Sequence, residues 1–213
     1  MDHFENNFST WNNLASAYQE QFMDLSLYND TYDRFIELVE KKDASVFEIA
    51  CGPGNITRYL LSKRPEFKLQ AIDVAPNMVQ LAQRNNPAAQ ITVMDCRDLS
   101  SISTLFDGIV IGFCVPYLSA NDCSKLIADC ARLMPANGIL YLSTPEAHAD
   151  GSGFQTSSDG QNKMYVACHS EKFLTDLFAQ NGFDLVEVML KNYKKKDGTK
   201  ETHQVFLARK RSF

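Results

Sequence analysis

Short runs of apolar and β-branched residues alternate with longer segments of helical periodicity between residues 45 and 143. Such runs are typical of strands that are buried on both faces of a sheet. The predicted strands cover 45–50, 68–73, 91–94, 108–113 and 138–143. Strands that alternate with helices form parallel units with right-handed crossovers. The pattern therefore predicts an α/β fold with a doubly wound, mostly parallel sheet.

Helical periodicity marks the segments that connect these strands. The predicted helices cover 55–63, 76–84, 101–105 and 119–134. The last has the clearest apolar stripe, and Ser119 with Asp122 resembles a capping box at its start. These helices are expected to cover the two faces of the sheet.

The N-terminal part is predicted to be helical and to precede the sheet. Tyr32, Phe35, Ile36 and Val39 form an amphipathic stripe, and 11–22 fits a shorter helix before it. We interpret 1–43 as an N-terminal helical flap.

The C-terminal part departs from the alternation of strands and helices. Segments 183–193 and 201–209 are rich in Val, Leu and Phe, and Asp197-Gly198 between them is a hairpin turn signal. An antiparallel hairpin is therefore expected to end the sheet. The preceding segment 145–169 contains a long polar stretch, which fits a functional lid or a disordered excursion, and a partly ordered lid is the favoured interpretation.

Length and pattern together favour one domain over residues 1–213. No repeat or linker divides the chain. Within the domain, the flap (1–43) precedes a cofactor-binding core (44–144), and the lid-like insertion (145–169) precedes a helix and the terminal hairpin (170–213).

Charge and cysteine usage narrow the class of partner. The net charge of -5 argues against a nucleic-acid partner, which requires clustered Lys and Arg. No apolar stretch is long enough to span a membrane, and no basic–apolar leader opens the sequence. The six cysteines form no CxxC pair, which argues against a metal site and fits free thiols in a cytoplasmic protein. A small-molecule partner is expected.

Polar residues at the predicted strand ends carry the candidate chemistry, because ligands of doubly wound folds bind at that edge. Gly52 and Gly54 follow the first strand, where glycines allow a tight turn and close approach of the backbone to a ligand. Glu48 is placed to accept from the ammonium of an amino-acid group. Asp73 ends the second strand, where a carboxylate can bind ribose hydroxyls. Asp95 follows the third strand, near the expected position of an adenine amino group.

This arrangement resembles the class I S-adenosylmethionine-dependent methyltransferase family over about residues 45–209. The family motif acid-x-Gly-x-Gly-x-Gly becomes Glu48-Ile49-Ala50-Cys51-Gly52-Pro53-Gly54, with Ala50 in place of the first glycine. The resemblance implies a seven-stranded sheet of order 3-2-1-4-5-7-6 and S-adenosylmethionine as the cofactor. It also implies in-line transfer of a methyl group to a small molecule.

The resemblance also assigns expected roles to individual residues. Asp73 would bind the ribose, Val74 and Met78 would flank the adenine, and Asp95 and Cys96 would meet its edge. Apart from the resemblance, Tyr18 and Trp11 of the flap are candidates to cover the cofactor or the acceptor, and both also fit amphipathic packing. The full set of predicted cofactor-binding residues is Tyr18, Glu48, Ala50, Cys51, Gly52, Gly54, Asn55, Asp73, Val74, Met78, Asp95, Cys96, Gly112 and Phe113.

Methyl transfer requires positioning of the acceptor, and a base only where the acceptor carries a proton. The candidate bases are His169 and His148, both near the region after the fifth strand, with Tyr117 as an orienting group. The same histidines also fit ordinary loop or helix-cap positions.

Two other functions fit the same fold. A noncatalytic module would bind a nucleoside without turnover, since fold does not imply function. An NAD(P)-dependent oxidoreductase would share the glycine turn and the acid about 20 residues later, with Thr57 in place of its third glycine. Glu48 and the terminal hairpin favour the methyltransferase.

Overall fold

The computed structural model describes residues 3–147, 151–156, 163–195 and 197–212. The helices are α1 (His3–Phe22), α2 (Asn29–Leu38), α3 (Asn55–Lys63), α4 (Pro76–Asn85), α5 (Ala120–Arg132) and α6 (Glu171–Gln180). The first five strands are β1 (Ser45–Ile49), β2 (Lys68–Asp73), β3 (Gln90–Val93), β4 (Gly108–Gly112) and β5 (Ile139–Pro145). The other strands are β6 (Gly153–Thr156), β7 (Lys163–Val166), β8 (Phe183–Lys194) and β9 (Lys200–Lys210).

Seven strands form one sheet in the order β3-β2-β1-β4-β5-β9-β8. Strands β1 to β5 pair in parallel, whereas β9 is antiparallel to both β5 and β8. The predicted fold class and strand order are confirmed, since β8 and β9 are the sixth and seventh strands of this sheet. The order reverses between β1 and β4, and a crevice therefore opens at their carboxyl ends.

The sheet is covered on both faces, as expected for parallel strands. Strand β1 shows the alternation: Val46 packs with α2 and α3 residues on one face, and Phe47 and Ile49 belong to the core cluster shared with α5 and α6. The side chain that follows Val46 on its face is Glu48, which is 1% exposed. The alternation of side chains along β1 therefore places the carboxyl group of Glu48 on the face of the sheet that the helices cover.

Two local predictions need correction. The helix expected at 101–105 is wrong: only a short 3₁₀ turn, Leu99–Ser101, forms there. The guanidinium of Arg132 donates to the carbonyl oxygens of Leu99 (2.9 Å) and Ile102 (2.8 Å), and this side chain supplies a partner that a longer helix would otherwise provide. The helix expected at 11–22 extends instead from His3 to Phe22.

The segment 145–169 contains structure that the sequence did not predict. β5 continues to Pro145, and β6 and β7 form a small antiparallel pair. The Asn7 side chain of α1 donates to the Tyr165 carbonyl and accepts from the Tyr165 N–H, both at 2.9 Å. The flap is therefore joined to this hairpin.

Other expectations are met locally. Ser119 caps α5 by accepting from the Asp122 N–H at 3.1 Å, as predicted. All six cysteines are free thiols. Among the described residues, no helix is long and apolar enough to cross a membrane.

Candidate functional site

The turn after β1 has left-handed backbone at three positions. Ala50, Gly52 and Gly54 have φ angles of 58°, 54° and 83°. A Cβ on Gly54 would lie 2.3 Å from Nδ2 of Asn86 and 3.2 Å from the Cβ of Ala82. Only glycine fits there without displacing α4, whereas Ala50 accepts an uncommon backbone conformation for a residue with a side chain.

Glu48 lies just before this turn and is almost completely buried. Its carboxylate accepts a short hydrogen bond from the hydroxyl of Thr57 in the first turns of α3. Burial raises the pKa of Glu48 to about 8, although the bond from Thr57 opposes that rise. The site therefore holds a carboxyl that would gain from a neighbouring cation.

Asp73 ends β2 and faces the same turn. Its two oxygens accept from the Gly52 N–H (2.8 Å) and the Ala75 N–H (2.9 Å). Burial raises the pKa of Asp73, and these backbone donors work against that effect. The carboxylate is thus fixed in orientation by the backbone, and each oxygen keeps accepting capacity for a ligand hydroxyl.

Two adjoining pockets lie at this edge of the sheet. Both are lined by Tyr18, Ala50, Gly52, Gly112, Phe113 and Tyr117. The first pocket also contains Asp73, Val74, Met78, Asp95 and Cys96. The second pocket also contains Glu48, Cys51 and Asn55. The structure therefore brings together at one edge almost all of the residues that the sequence selected.

The exceptions have physical reasons. Gly54 lines neither pocket and instead allows the turn to pack against α4. Asp95 does line the first pocket, but it is also held by Arg97 in a two-pronged ion pair with distances of 2.8 to 3.2 Å. This pairing leaves Asp95 less available to a ligand than Asp73.

The predicted bases are placed away from the pockets or outside the described residues. The Nε2 atom of His169 lies 3.1 Å from the carbonyl oxygens of Val115 and Leu118, and His169 lines neither pocket. This geometry gives His169 a structural role at the end of the 3₁₀ turn Val115–Tyr117. His148 lies outside the described residues. Tyr117 is in the wall of both pockets.

Helix α1 closes one side of the first pocket. Trp11 packs edge-on against Tyr18 and Tyr117, with ring centroids 5.5 and 5.2 Å apart. The indole Nε1 of Trp11 is buried and has no hydrogen-bond partner among the described residues. A buried donor without a partner is costly, so this N–H is suited to an acceptor atom of a ligand.

Sequence reasoning missed a polar cluster in the second pocket. The Nδ1 atom of His203 lies 2.6 Å from the hydroxyl of Tyr28, and its Nε2 atom lies 3.3 Å from Oε2 of Glu201. Glu201 and His203 are two residues apart on β9, so strand alternation places them on one face. That spacing was a usable signal, but nothing in the sequence connects Tyr28 to them.

Comparison with known proteins agrees with this geometry. Residues 46–138 match the family model described as a methyltransferase domain. A malonyl-[acyl-carrier protein] O-methyltransferase of Anoxybacillus flavithermus is 31% identical over 128 residues, which cover 54% of this chain and 48% of that protein. The chain thus spans about half the length of this relative.

Solved structures share the fold over most of the chain. An S-adenosylmethionine-dependent methyltransferase from Methanosarcina mazei superposes with a TM-score of 0.73 at 20% identity, covering 84% of this chain and 97% of that one. A 1,6-didemethyltoxoflavin-N1-methyltransferase from Burkholderia thailandensis gives 0.73 at 18% identity, covering 98% and 88%. This chain therefore shares the fold of S-adenosylmethionine-dependent methyltransferases, and its residues 46–138 are similar to a methyltransferase domain.

Proposed function

We propose that this protein transfers a methyl group from S-adenosylmethionine to a small molecule. The observation that carries the proposal is the pair of buried carboxylates, Glu48 and Asp73, on either side of the glycine turn. Glu48 fits the ammonium of the methionine moiety, and Asp73 fits the ribose hydroxyls. When bound, the cofactor supplies an electrophilic methyl group on a sulfonium.

The first pocket fits the adenosine part of that cofactor. Val74 and Met78 supply apolar walls for the adenine, and Cys96 with Asp95 borders its expected edge. The buried N–H of Trp11, which has no partner in the described part of the chain, adds a donor from the flap. The second pocket, which shares the Gly52 and Phe113 walls, would then hold the methionine part of the cofactor beside Glu48 and the methyl acceptor at its Tyr28 and His203 end.

The remaining segments have proposed roles around this site. The flap (1–43) excludes water from the reacting atoms, because its Trp11 and Tyr18 cover both pockets. At the start of the insertion (145–169), Pro145 lines the second pocket and so borders the proposed acceptor site. A cleft whose described lining contains no Lys or Arg supports a small-molecule acceptor rather than a nucleic acid.

The test is calorimetric binding of S-adenosylmethionine, S-adenosylhomocysteine and NAD to the full chain. We expect binding of the two adenosyl ligands and none of NAD. Asp73→Asn should weaken S-adenosylhomocysteine binding about 10- to 100-fold, the usual loss for a hydrogen bond to a charged group. Asp43→Asn is the matched control, since Asp43 lies in an exposed ion pair with Lys68.

Each outcome has a defined meaning. Binding of NAD in place of the adenosyl ligands would support the oxidoreductase alternative. Binding of the adenosyl ligands without methylation of any acceptor would support the noncatalytic module. Equal affinities of Asp73→Asn and wild type would contradict the ribose-binding role.

A further inference from the structure

The wall of the second pocket opposite the glycine turn is aromatic. The ring of His203 stacks on Tyr193, with centroids 5.3 Å apart and planes 17° apart, and Phe113 meets it edge-on at 5.0 Å. Tyr28 also lies parallel to the imidazole, at 6.0 Å. Flat rings bind well against such faces through offset stacking and edge contacts.

The second pocket has no Lys or Arg side chain in its described lining. None of the described residues that line the first pocket is Lys or Arg either, whereas Glu201 lines the second pocket. Lys195 is 3.2 Å from Glu201 but does not line the pocket. An acceptor that carries a carboxylate or phosphate would be buried in this pocket without a counter-cation from the described lining, which is costly.

The polar cluster at the end of this pocket forms a directed hydrogen-bond chain. With a neutral imidazole, the Nε2–H of His203 donates to Glu201 and its Nδ1 accepts from the hydroxyl of Tyr28; the carboxylate fixes this tautomer. Burial raises the pKa of Tyr28, so its phenol does not lose its proton alone. It can donate that proton to His203 only while it receives another proton. The proposed cofactor contacts use none of these three side chains.

We propose that the second pocket takes a planar aromatic or heteroaromatic acceptor bearing a ring O–H or N–H, and that Tyr28, His203 and Glu201 receive its proton. This inference rests on the proposed function. Tyr28 is the group that touches the acceptor. His203 and Glu201 act behind it as positioning residues.

The transfer step balances within this arrangement. The acceptor's O–H or N–H bond breaks, and its electron pair forms the new bond to the methyl carbon while the carbon–sulfur bond breaks and leaves its pair on sulfur. The acceptor's proton passes to Oη of Tyr28, and the phenolic proton of Tyr28 passes to Nδ1 of His203. Glu201 stabilises the resulting imidazolium.

The experiment uses the full chain and a panel of probes of defined chemistry. Catechol and benzimidazole represent ring O–H and N–H acceptors, benzylamine represents amines, and malonate represents carboxylates. Probe binding to protein saturated with S-adenosylhomocysteine is measured by calorimetry, and turnover is measured as S-adenosylhomocysteine formed. The variants are Tyr28→Phe and His203→Asn. Tyr59→Phe is the control, since Tyr59 bonds to Asp33 away from both pockets.

We expect a ring probe to bind and be methylated while malonate is inert. Tyr28→Phe and His203→Asn should lower kcat for that probe about 100-fold, within the usual range for a proton-transfer group, with KM and S-adenosylhomocysteine affinity little changed. Tyr59→Phe should match wild type.

The contradictory outcomes are equally definite. Preferential methylation of malonate or benzylamine, unchanged kcat in Tyr28→Phe, or no ring probe that binds or turns over would each overturn the inference. Failure of the wild type to bind S-adenosylmethionine would instead count against the proposed function itself, so the two failures are distinguishable.

Discussion

The glycine-turn region (48–57 with 73–75) and the flap–hairpin region (11–28 with 193–203) form opposite sides of the same site by different means. In the first region, backbone groups fix the polar side chains, as the Gly52 and Ala75 N–H groups do for Asp73. In the second region, side chains fix one another, and Tyr28 and His203 are 175 residues apart. The comparison indicates that the backbone preforms the proposed cofactor side, whereas the proposed acceptor side depends on the packing of distant segments.

The largest expected effect is a loss of stability at Gly54, in the glycine-turn region. A side chain there meets both steric overlap and backbone strain, and a control variant in the other region separates the two. Gly54→Ala should lower the free energy of unfolding by about 2–5 kcal/mol, because a Cβ would both overlap Asn86 and sit at φ 83°. It should also weaken S-adenosylhomocysteine binding. Urea denaturation and calorimetry measure the two effects.

The control comes from the tip of the C-terminal hairpin. Gly198 has φ 87°, and a Cβ there would meet nothing within 4 Å. Gly198→Ala should therefore cost only the strain, about 1 kcal/mol. Equal losses in the two variants would show that the packing of Gly54 against α4 is unimportant.

The next prediction uses the protonation of Glu48. Its pKa of about 8 in the folded protein is above the ordinary value of 4.5, so the folded state binds more protons between these pH values. The contribution of Glu48 to the free energy of unfolding therefore falls as pH rises from 4.5 to about 8. A bound ammonium favours the carboxylate, so S-adenosylhomocysteine affinity should rise from about pH 6 to about pH 8 and then level off.

Glu48→Gln should remove both dependences and lower the affinity, while raising the stability of the ligand-free protein above about pH 8. Glu187→Gln in β8 is the matched control, because Glu187 lies in a half-exposed ion pair with Arg34. The stability and the S-adenosylhomocysteine affinity are measured by calorimetry at several pH values. If either still depends on pH in Glu48→Gln, a group other than Glu48 is responsible for that dependence.

The smallest expected effect concerns Ala50, the one departure from the glycine motif of the family that the sequence resembles. Ala50 has φ 58°, and Ala50→Gly should raise the free energy of unfolding by about 0.5–1 kcal/mol by relieving left-handed strain. Ala136→Gly, at an exposed turn position without positive φ, should lower it by a similar amount. Calorimetric melting curves test both; destabilisation by Ala50→Gly would mean that the methyl group contributes more by packing than it costs in strain.

The same comparison explains how much was predictable from the sequence. The exact bounds of β2 and α3, and the place of Asp73 at a strand end, follow from local periodicity and turn chemistry. Thr57, which the sequence showed only as a substitute for a glycine in a dinucleotide motif, is explained by its bond to Glu48.

The acceptor side could not be predicted in this way. His169 and His203 are both histidines in the C-terminal part of the chain, and only the fold shows that backbone carbonyls hold the first while Tyr28 and Glu201 hold the second. The paired β6 and β7 strands lie in a segment whose polar composition favours a loop. Long-range packing determined these features.

The position of Trp11 has a practical consequence. It is the only tryptophan in the chain, and its indole ring lies in the wall of both pockets. Fluorescence excited at the red edge of protein absorption therefore arises from the site alone, with no background from other indoles. The protein carries its own optical reporter, and ligand occupancy can be followed in real time without a dye, a label or a coupled assay.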